Sequence, residues 1–174
     1  MSDPGTHEAD RSASPALVGV VTGLAVVLLL LTVATLVVAV VRTPPGQSLD
    51  KARSAALAAG KQVVINLDGI NAATLDADLK RIEGQITGTF KTQFTKAEAT
   101  LRELYPKRKT VSKGEIRGAA FVKGDENSMT LIVASDRTFT DADNKDPVLQ
   151  TSRYELAMEK HGGRWLLADL EPVP

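Results

Sequence analysis

The hydrophobic positions of this chain follow three patterns, one after another. Residues 16–41 form an unbroken apolar run. From Ser48 to Leu104 apolar residues recur every three to four positions, and from about residue 109 to the end they alternate with polar ones. The second pattern is typical of amphipathic helices, and the third is typical of strands with one buried face. The order predicts an apolar segment, then helices, then an antiparallel sheet.

The apolar run predicts a membrane-spanning helix. Ala16 to Val41 is 26 residues long and contains no charged side chain. A helix of this length extends about 39 Å, against roughly 30 Å of hydrocarbon in a bilayer. A cleavable signal peptide is the rival interpretation, but its apolar region would have only about 7–15 residues before a small-x-small cleavage site. We therefore predict an uncleaved single-pass anchor at 16–41, after a disordered polar tail at 1–15 and before a linker at 42–47.

Two glycines in the apolar run have the spacing of a helix-contact motif. Gly19 and Gly23 form a Gly-x-x-x-Gly pair, which lets two membrane helices approach closely. The pair is consistent either with a homodimer formed through this helix or with the small residues that are common in membrane helices.

The charges that flank the apolar run bear on its orientation. Arg11 is the one basic residue before the run, whereas Arg42, Lys51 and Arg53 follow it. Because cytoplasmic flanks carry the excess of Lys and Arg, this count favours a cytoplasmic C-terminal side. The count rests on four residues, and long domains are translocated largely regardless of charge.

Three helices are predicted between residues 48 and 106. Ser48 and Thr74 are the candidate N-caps of the first two, the third follows Gly88, and Pro106 ends it. Each helix has an apolar face. The three faces are Leu49, Ala52, Ala56, Ala59, Val63 and Leu67; Leu75, Leu79, Ile82 and Ile86; and Phe90, Phe94, Ala97, Leu101 and Leu104.

Four strands joined by short loops are predicted after the helices. Turn residues occur at 124–127, a polar loop occupies 140–147, and the pair Gly162-Gly163 predicts a tight hairpin. Helices followed by consecutive strands indicate an α+β fold. We expect residues 48–174 to form one domain in which the helices pack on a curved four-stranded antiparallel sheet.

Composition excludes several classes of function. The chain has 21 basic and 21 acidic residues, which argues against a nucleic-acid-binding protein. It has no Cys and only two His, His7 in the tail and His161 beside the hairpin. Disulfides, a thiol nucleophile and a zinc site are therefore not expected. We find no phosphate-binding loop and no nucleophile elbow, so no cofactor or metal is predicted.

The remaining polar groups are better explained by structure than by chemistry. The run Lys107-Arg108-Lys109 could meet anionic lipid or an acidic partner, but a solvated helix C-terminus explains it more simply. Asp141 opens an acidic loop that lacks the sixth-position Gly and twelfth-position carboxylate of a calcium loop, so we expect a solvated turn. The single Trp, Trp165, is expected to be a core residue of the last strand rather than a ligand contact.

One pair of residues is a candidate acid–base pair. Asp136 and Tyr154 are the only carboxylate and phenol that a curved sheet could bring into one pocket. Nothing in the sequence places them together, and Asp136 is expected to pair with Arg153 or to lie at a sheet edge. We predict that the protein is not an enzyme.

Two short stretches resemble a known family. These are Ile86-Thr87-Gly88-Thr89-Phe90, with Phe94 after it, and the closing Gly-Gly-Arg-Trp-Leu-Leu-Ala-Asp-Leu-Glu-Pro-Val strand. Together with the membrane helix and the Ala-rich helix, they make residues 16–174 resemble the actinobacterial Mce-associated membrane proteins. The resemblance implies the nuclear-transport-factor-like cone fold, which is shared with the inner-membrane assembly subunit of type IV secretion systems. It also implies a cytoplasmic N-terminus, an extracytoplasmic domain, and a role in stabilising Mce lipid-import complexes in the cell envelope, without catalytic residues.

Two functional hypotheses follow. In the first, the protein is a non-enzymatic accessory subunit that docks onto Mce transporter components, and its cone is filled by side chains. In the second, it is a membrane-anchored module that holds a lipid or another apolar molecule in the cone, in a pocket lined by Phe90, Phe94 and Phe121.

Overall fold

The helices lie where the three- to four-residue spacing of apolar residues predicts them. The computed structural model of the protein describes residues 47–174. The predicted tail, the membrane helix with Gly19 and Gly23, and the linker as far as residue 46 lie outside these residues. Helices α1 (Gln47–Asp68), α2 (Leu75–Glu83) and α3 (Gly88–Arg108) come first, with a 3-10 turn at Ala72–Thr74. None of the helices within 47–174 is long and apolar enough to cross a membrane.

The alternating part of the chain forms a four-stranded meander. The strands are β1 (Val111–Gly124), β2 (Ser128–Thr140), β3 (Val148–His161) and β4 (Arg164–Pro172), and each pairs antiparallel with the next. Register shifts interrupt β1 at two points and the β3–β4 pairing at one. Such bulges bend a strand and increase its twist. The predicted α+β fold, with helices on a curved four-stranded antiparallel sheet, is confirmed.

The core lies between the helices and one face of the sheet. Alternate residues of β2 and β3 point into it, because side chains of a strand alternate between faces. The apolar side chains with less than 2% exposure are Ala56, Val63, Val64, Leu79, Ile82, Met129, Leu131, Val133, Leu156, Met158 and Leu167. The Ala-rich face of α1 permits close packing here.

The connection between α2 and α3 binds to the last strand. The predicted stripe of the second helix continued to Ile86, but α2 ends at Glu83 and Ile86 lies in extended chain that bridges Leu167. The N–H of Thr87 donates to the carbonyl of Leu167 over 2.8 Å, and the N–H of Leu167 donates to the carbonyl of Gln85 over 2.9 Å. Part of the outer edge of β4 is therefore covered.

Helix α3 differs from its predicted form at the C-terminal end. Pro106 was expected to end the helix, but α3 continues to Arg108 and closes at Lys109, whose φ of 51° is left-handed. Proline is compatible with helical φ, and the N–H groups of Lys109 and Thr110 still reach the last carbonyls. Leu104, placed on the apolar face by its spacing, is 46% exposed. Leu101 and Tyr105 in the same half of α3 do pack against the core, so Leu104 lies beside the apolar face of the helix rather than on it.

The second helix begins differently from the prediction. The Thr74 side chain does not cap the helix N-terminus. Its hydroxyl instead donates to Asp78 over 2.7 Å, and the N–H of Asn71 donates to the same carboxylate over 3.1 Å. A buried Asp78 thus holds the 3-10 turn onto α2.

Candidate functional site

The three aromatic side chains predicted to line a pocket have different surroundings. Phe90 and Phe94 lie on α3 with ring centroids 6.3 Å apart, and Phe94 is buried. Phe121 lies on β1, half-buried, and the Arg53 guanidinium stacks on its ring at 4.5 Å from the centroid. The structure brings the first two rings together and gives the third a cationic partner. A pocket lined by all three is still a prediction.

The centre of the cone is occupied by side chains. At Gly60 of α1, an added Cβ would lie 2.8 Å from Cδ1 of Leu131 and 3.3 Å from Cδ1 of Leu156. Contacts this short leave no room between helix and sheet at this point. The close approach of α1 is the packing that the docking hypothesis predicts.

The candidate acid–base pair is divided between the two faces of the sheet. Tyr154 pairs with Val133 on the core face, and Asp136 lies three residues along β2, on the opposite face. Proton transfer between a carboxylate and a phenol acting on one substrate requires both within hydrogen-bond reach of it. The register therefore excludes this pair as a catalytic unit.

The expected partner of Asp136 was wrong. Asp136 lies 3.3 Å from Nε of Arg117 and accepts a 2.7 Å hydrogen bond from the hydroxyl of Thr151. Arg153 instead donates to the carbonyl of Pro174 over 2.8 Å. Because β2 is an inner strand, Asp136 is not at a sheet edge either.

The acidic loop after β2 is a solvated turn whose backbone is held by the carboxylate of Asp141. One carboxylate oxygen of Asp141 accepts from the N–H groups of Asp143 and Asn144, at 3.0 and 2.8 Å, and from the Asn144 amide at 3.0 Å. These bonds hold the pKa of Asp141 below its usual range. Asp141 itself is buried, but residues 142–147 are all exposed, so the solvated turn expected from the sequence is confirmed. Within residues 47–174, no cluster of three or more metal-ligating side chains occurs.

The basic run lies at a helix C-terminus, as expected. Lys107 pairs with Glu103 at 2.8 Å, one helical turn earlier. Arg108 pairs with Asp143 at 2.9 Å and lies 3.8 Å from Asp141. Two of the three cations therefore have carboxylate partners, which supports the structural interpretation of this run.

Trp165 is a core residue, as the sequence predicts. It is 7% exposed and belongs to the apolar cluster between the helices and the sheet. His161, beside the hairpin, is half-exposed and lies 2.9 Å from Glu159.

A polar cluster at the end of the core was missed by the sequence analysis. It consists of Asp68 from the end of α1 together with Ser135 and Arg137 from β2. Each of the three has a buried polar atom without a hydrogen-bond partner among the described residues: Oδ2 of Asp68, Oγ of Ser135 and Nε of Arg137. Burial raises the pKa of Asp68, and the positive charge of Arg137 only partly offsets this.

One signal in the sequence could have located part of this cluster. Ser135 and Arg137 share the parity of Met129, Leu131 and Val133, so the alternation continues the core face of β2 into polar residues. Asp68 carries no such signal, because its position depends on where α1 crosses the sheet.

Comparisons with known proteins agree with this architecture. The family described as "Uncharacterized protein Rv1363c/MT1408-like" matches residues 16–174. The curated relative "Uncharacterized protein Rv1363c" from Mycobacterium tuberculosis (strain ATCC 25618 / H37Rv) is 27% identical over 123 residues, which are 70% of this chain and 47% of the relative. The chain thus spans about half the length of that relative.

Solved structures share the fold at low sequence identity. The periplasmic domain of DotI matches with a TM-score of 0.58 and 15% identity, over 70% of this chain and 94% of that one. CagV of Helicobacter pylori strain 26695, a VirB8 homolog of a type IV secretion system, matches with a TM-score of 0.55 and 12% identity, over 69% of this chain and 97% of that one. At these identities the likeness shows the fold alone, an α+β domain of the VirB8 type.

Proposed function

The chain belongs to the Rv1363c/MT1408-like family, and from this premise we propose that it is a non-enzymatic accessory subunit of a Mce lipid-import complex in the cell envelope. It would be anchored by the helix at 16–41 and would act by docking onto transporter components and stabilising their assembly. Gly19 and Gly23 would let two copies pair within the membrane.

The filled core is the observation that carries this proposal. Side chains from all three helices and all four strands meet between helix and sheet, and α1 at Gly60 lies directly against Leu131 and Leu156. A protein that carries an apolar ligand needs a cavity of roughly 300–1,000 Å³. A domain whose interior is packed in this way binds other molecules at its outer surface, which is consistent with docking onto other proteins.

The fold supports an envelope location by analogy. The DotI domain is periplasmic, and CagV is a component of a type IV secretion system. We extend this placement to residues 48–174, with the N-terminus in the cytoplasm. The Mce partner itself comes from the resemblance of the Thr87–Phe90 and Gly162–Val173 stretches to the Mce-associated proteins.

Affinity purification from the native host tests the docking function. The full chain, tagged at its C-terminus, is purified in mild detergent, and the co-purifying proteins are quantified by mass spectrometry. We expect Mce transporter components to be enriched at least about tenfold over an unrelated tagged single-pass protein.

A matched pair of variants shows whether the folded domain makes the contact. Leu156 is fully buried on β3. Leu156→Asp buries a charge in the core and should release the partners, whereas Leu156→Met preserves volume and should retain them. Enrichment that survives Leu156→Asp would assign docking to the anchor instead. Absence of Mce components from the wild-type sample would refute the proposal.

The ligand-binding module is a second candidate, favoured by the half-buried rings of Phe90 and Phe121. Chloroform extraction of the purified full chain, followed by mass spectrometry, tests it. A stoichiometric lipid in the wild type that is lost in Phe90→Ser and kept in Phe139→Ser would support this alternative over docking.

A further inference from the structure

A small cavity opens where the C-terminal turn of α3 meets the end of β2. Its volume is about 240 Å³. At roughly 30 Å³ per water, that is about eight waters. Such a space suits a molecule with one ring or a short chain and is too small for a membrane lipid. The wall includes Leu104, Tyr105, Arg108, Arg137, Phe139 and Asp141.

Arg137 is the unneutralised charge of this cavity. Its guanidinium lies over the Phe139 ring at 5.0 Å from the centroid and donates to the Tyr105 hydroxyl over 3.3 Å. Within residues 47–174 it forms no ion pair, and its Nε is buried without a partner. Arginine has five N–H donors, so most of its hydrogen-bonding capacity is unused.

The nearby carboxylates do not supply the missing acceptor. Asp141 is already held by three N–H donors of its own loop and lies beside Arg108. Asp143 pairs with Arg108 at 2.9 Å. Oδ2 of Asp68 and Nε of Arg137 are both buried without a hydrogen-bond partner among the described residues, so these two atoms do not bind each other. The cavity therefore presents the Arg137 guanidinium, which has no ion-pair partner within residues 47–174, beside the apolar side chains of Leu104 and Phe139.

We propose that this cavity binds a small organic acid, with the carboxylate on Arg137 and Tyr105 and the apolar part against Leu104 and Phe139. Guanidinium–carboxylate hydrogen bonds are charge-assisted and strong, and stacking on Phe139 orients the planar guanidinium in advance. The Tyr105 hydroxyl accepts from Arg137, which leaves its own proton for the ligand. Leu104, unusually exposed for its type, would be covered by the bound molecule.

This site is separate from docking and from the pocket expected at Phe90, Phe94 and Phe121. It is built from the last turn of α3 and the end of β2, whereas Phe90 and Phe94 lie in the first half of α3. The proposal for this cavity would therefore remain valid if the docking proposal failed.

Saturation-transfer NMR on the full chain tests the site, with benzoate as the probe. Benzamide is the matched compound without charge, and acetate is the matched compound without a ring. We expect benzoate to bind at millimolar concentration or below, and benzamide and acetate to bind at least about tenfold more weakly, a difference of about 1.4 kcal/mol each. Equal binding of benzoate and benzamide would overturn the proposal, as would no transfer to benzoate.

Two variants locate the binding. Arg137→Met keeps the length of the side chain and removes the charge, and it should weaken benzoate binding at least tenfold. Arg153→Met, an exposed position on the other face of the sheet, should leave binding unchanged. Tyr105→Phe should weaken benzoate binding several-fold. If the Trp165 fluorescence of Arg137→Met differs from that of the wild type, that variant is not folded correctly and Tyr105→Phe is the deciding test. Wild-type affinity in the folded Arg137→Met protein, or in Tyr105→Phe where that variant decides, would refute the site.

Discussion

Asp68 is the residue whose ionisation opposes folding. It is 7% exposed, and burial raises its pKa above the ordinary value of 3.8. A carboxyl group whose pKa is higher in the folded chain binds more protons there than in the unfolded chain. As the pH rises from the pKa of Asp68 in the unfolded chain to its higher pKa in the folded chain, ionisation lowers the free energy of unfolding. Above the folded pKa this loss of stability is complete.

Asp68→Asn should remove this pH dependence. The amide has nearly the same shape as the neutral carboxyl, so the variant should gain in unfolding free energy over the wild type as the pH rises. Urea unfolding followed by Trp165 fluorescence, at pH values from about 3 to about 8, measures the difference. A difference that stays constant over this range would contradict the prediction.

Asp125 provides a control of opposite sign. The N–H groups of Asn127 and Ser128 bind its carboxylate and lower its pKa. A carboxyl group whose pKa is lower in the folded chain stabilises the fold at pH values above its unfolded pKa. This stabilisation is lost as the pH falls through its folded pKa. Asp125→Asn should therefore cost stability at neutral pH and progressively less in acid.

Truncation of Trp165 is expected to be costly. It is 7% exposed in the core cluster, and Trp165→Ala should lower the free energy of unfolding by about 3–5 kcal/mol. Urea unfolding followed by circular dichroism measures the loss, with Trp165→Phe as the milder variant. A loss below about 1 kcal/mol would show that the indole does not support the core.

At the scale of elements, the approach of α1 to β1 depends on a glycine. A Cβ at Gly114 would lie 2.6 Å from Cβ of Asp68 and 3.1 Å from the carbonyl oxygen of Ile65. Neither atom is the end of a flexible side chain, so helix or strand must move. Gly114→Ala should destabilise the protein by about 1–3 kcal/mol, measured by urea unfolding.

Gly118 on the same strand is the matched control. No atom lies within 4 Å of a Cβ added there. Gly118→Ala should therefore be neutral or slightly stabilising, because alanine reduces the entropy of the unfolded chain. Equal losses at the two positions would show that β1 tolerates no side chain at either glycine and that the contact with α1 is not the cause.

At the scale of the whole molecule, the prediction concerns topology. We expect residues 1–15 in the cytoplasm and residues 42–174 outside the membrane, although the flanking Lys and Arg residues, one before against three after, point the other way. A reporter that is active only after export, fused to Pro174, should be active in the native host. Activity from a cytoplasm-dependent reporter alone would reverse the orientation and remove the docking proposal, since the domain could not then meet an extracytoplasmic partner.

The sequence by itself determined the type and order of the elements. Helical spacing of apolar residues between 48 and 104, and alternation after 109, reflect which side chains one face must bury, and this is a local property of each element. Short turns at 124–127 and 162–163 made the strands consecutive neighbours, so the meander followed as well. Trp165 was placed in the core because apolar residues surround it in the strand.

Only the tertiary structure decided which polar groups meet. Asp136 and Tyr154 are on opposite faces because of the β2–β3 register, and Asp68 reaches Ser135 and Arg137 because of where α1 crosses the sheet. The end of α3, and with it the cavity beside Arg137, depends on how the acidic loop packs against the last helical turn. These features join residues far apart in the chain, and such contacts are set by the packing of whole elements rather than by any local period.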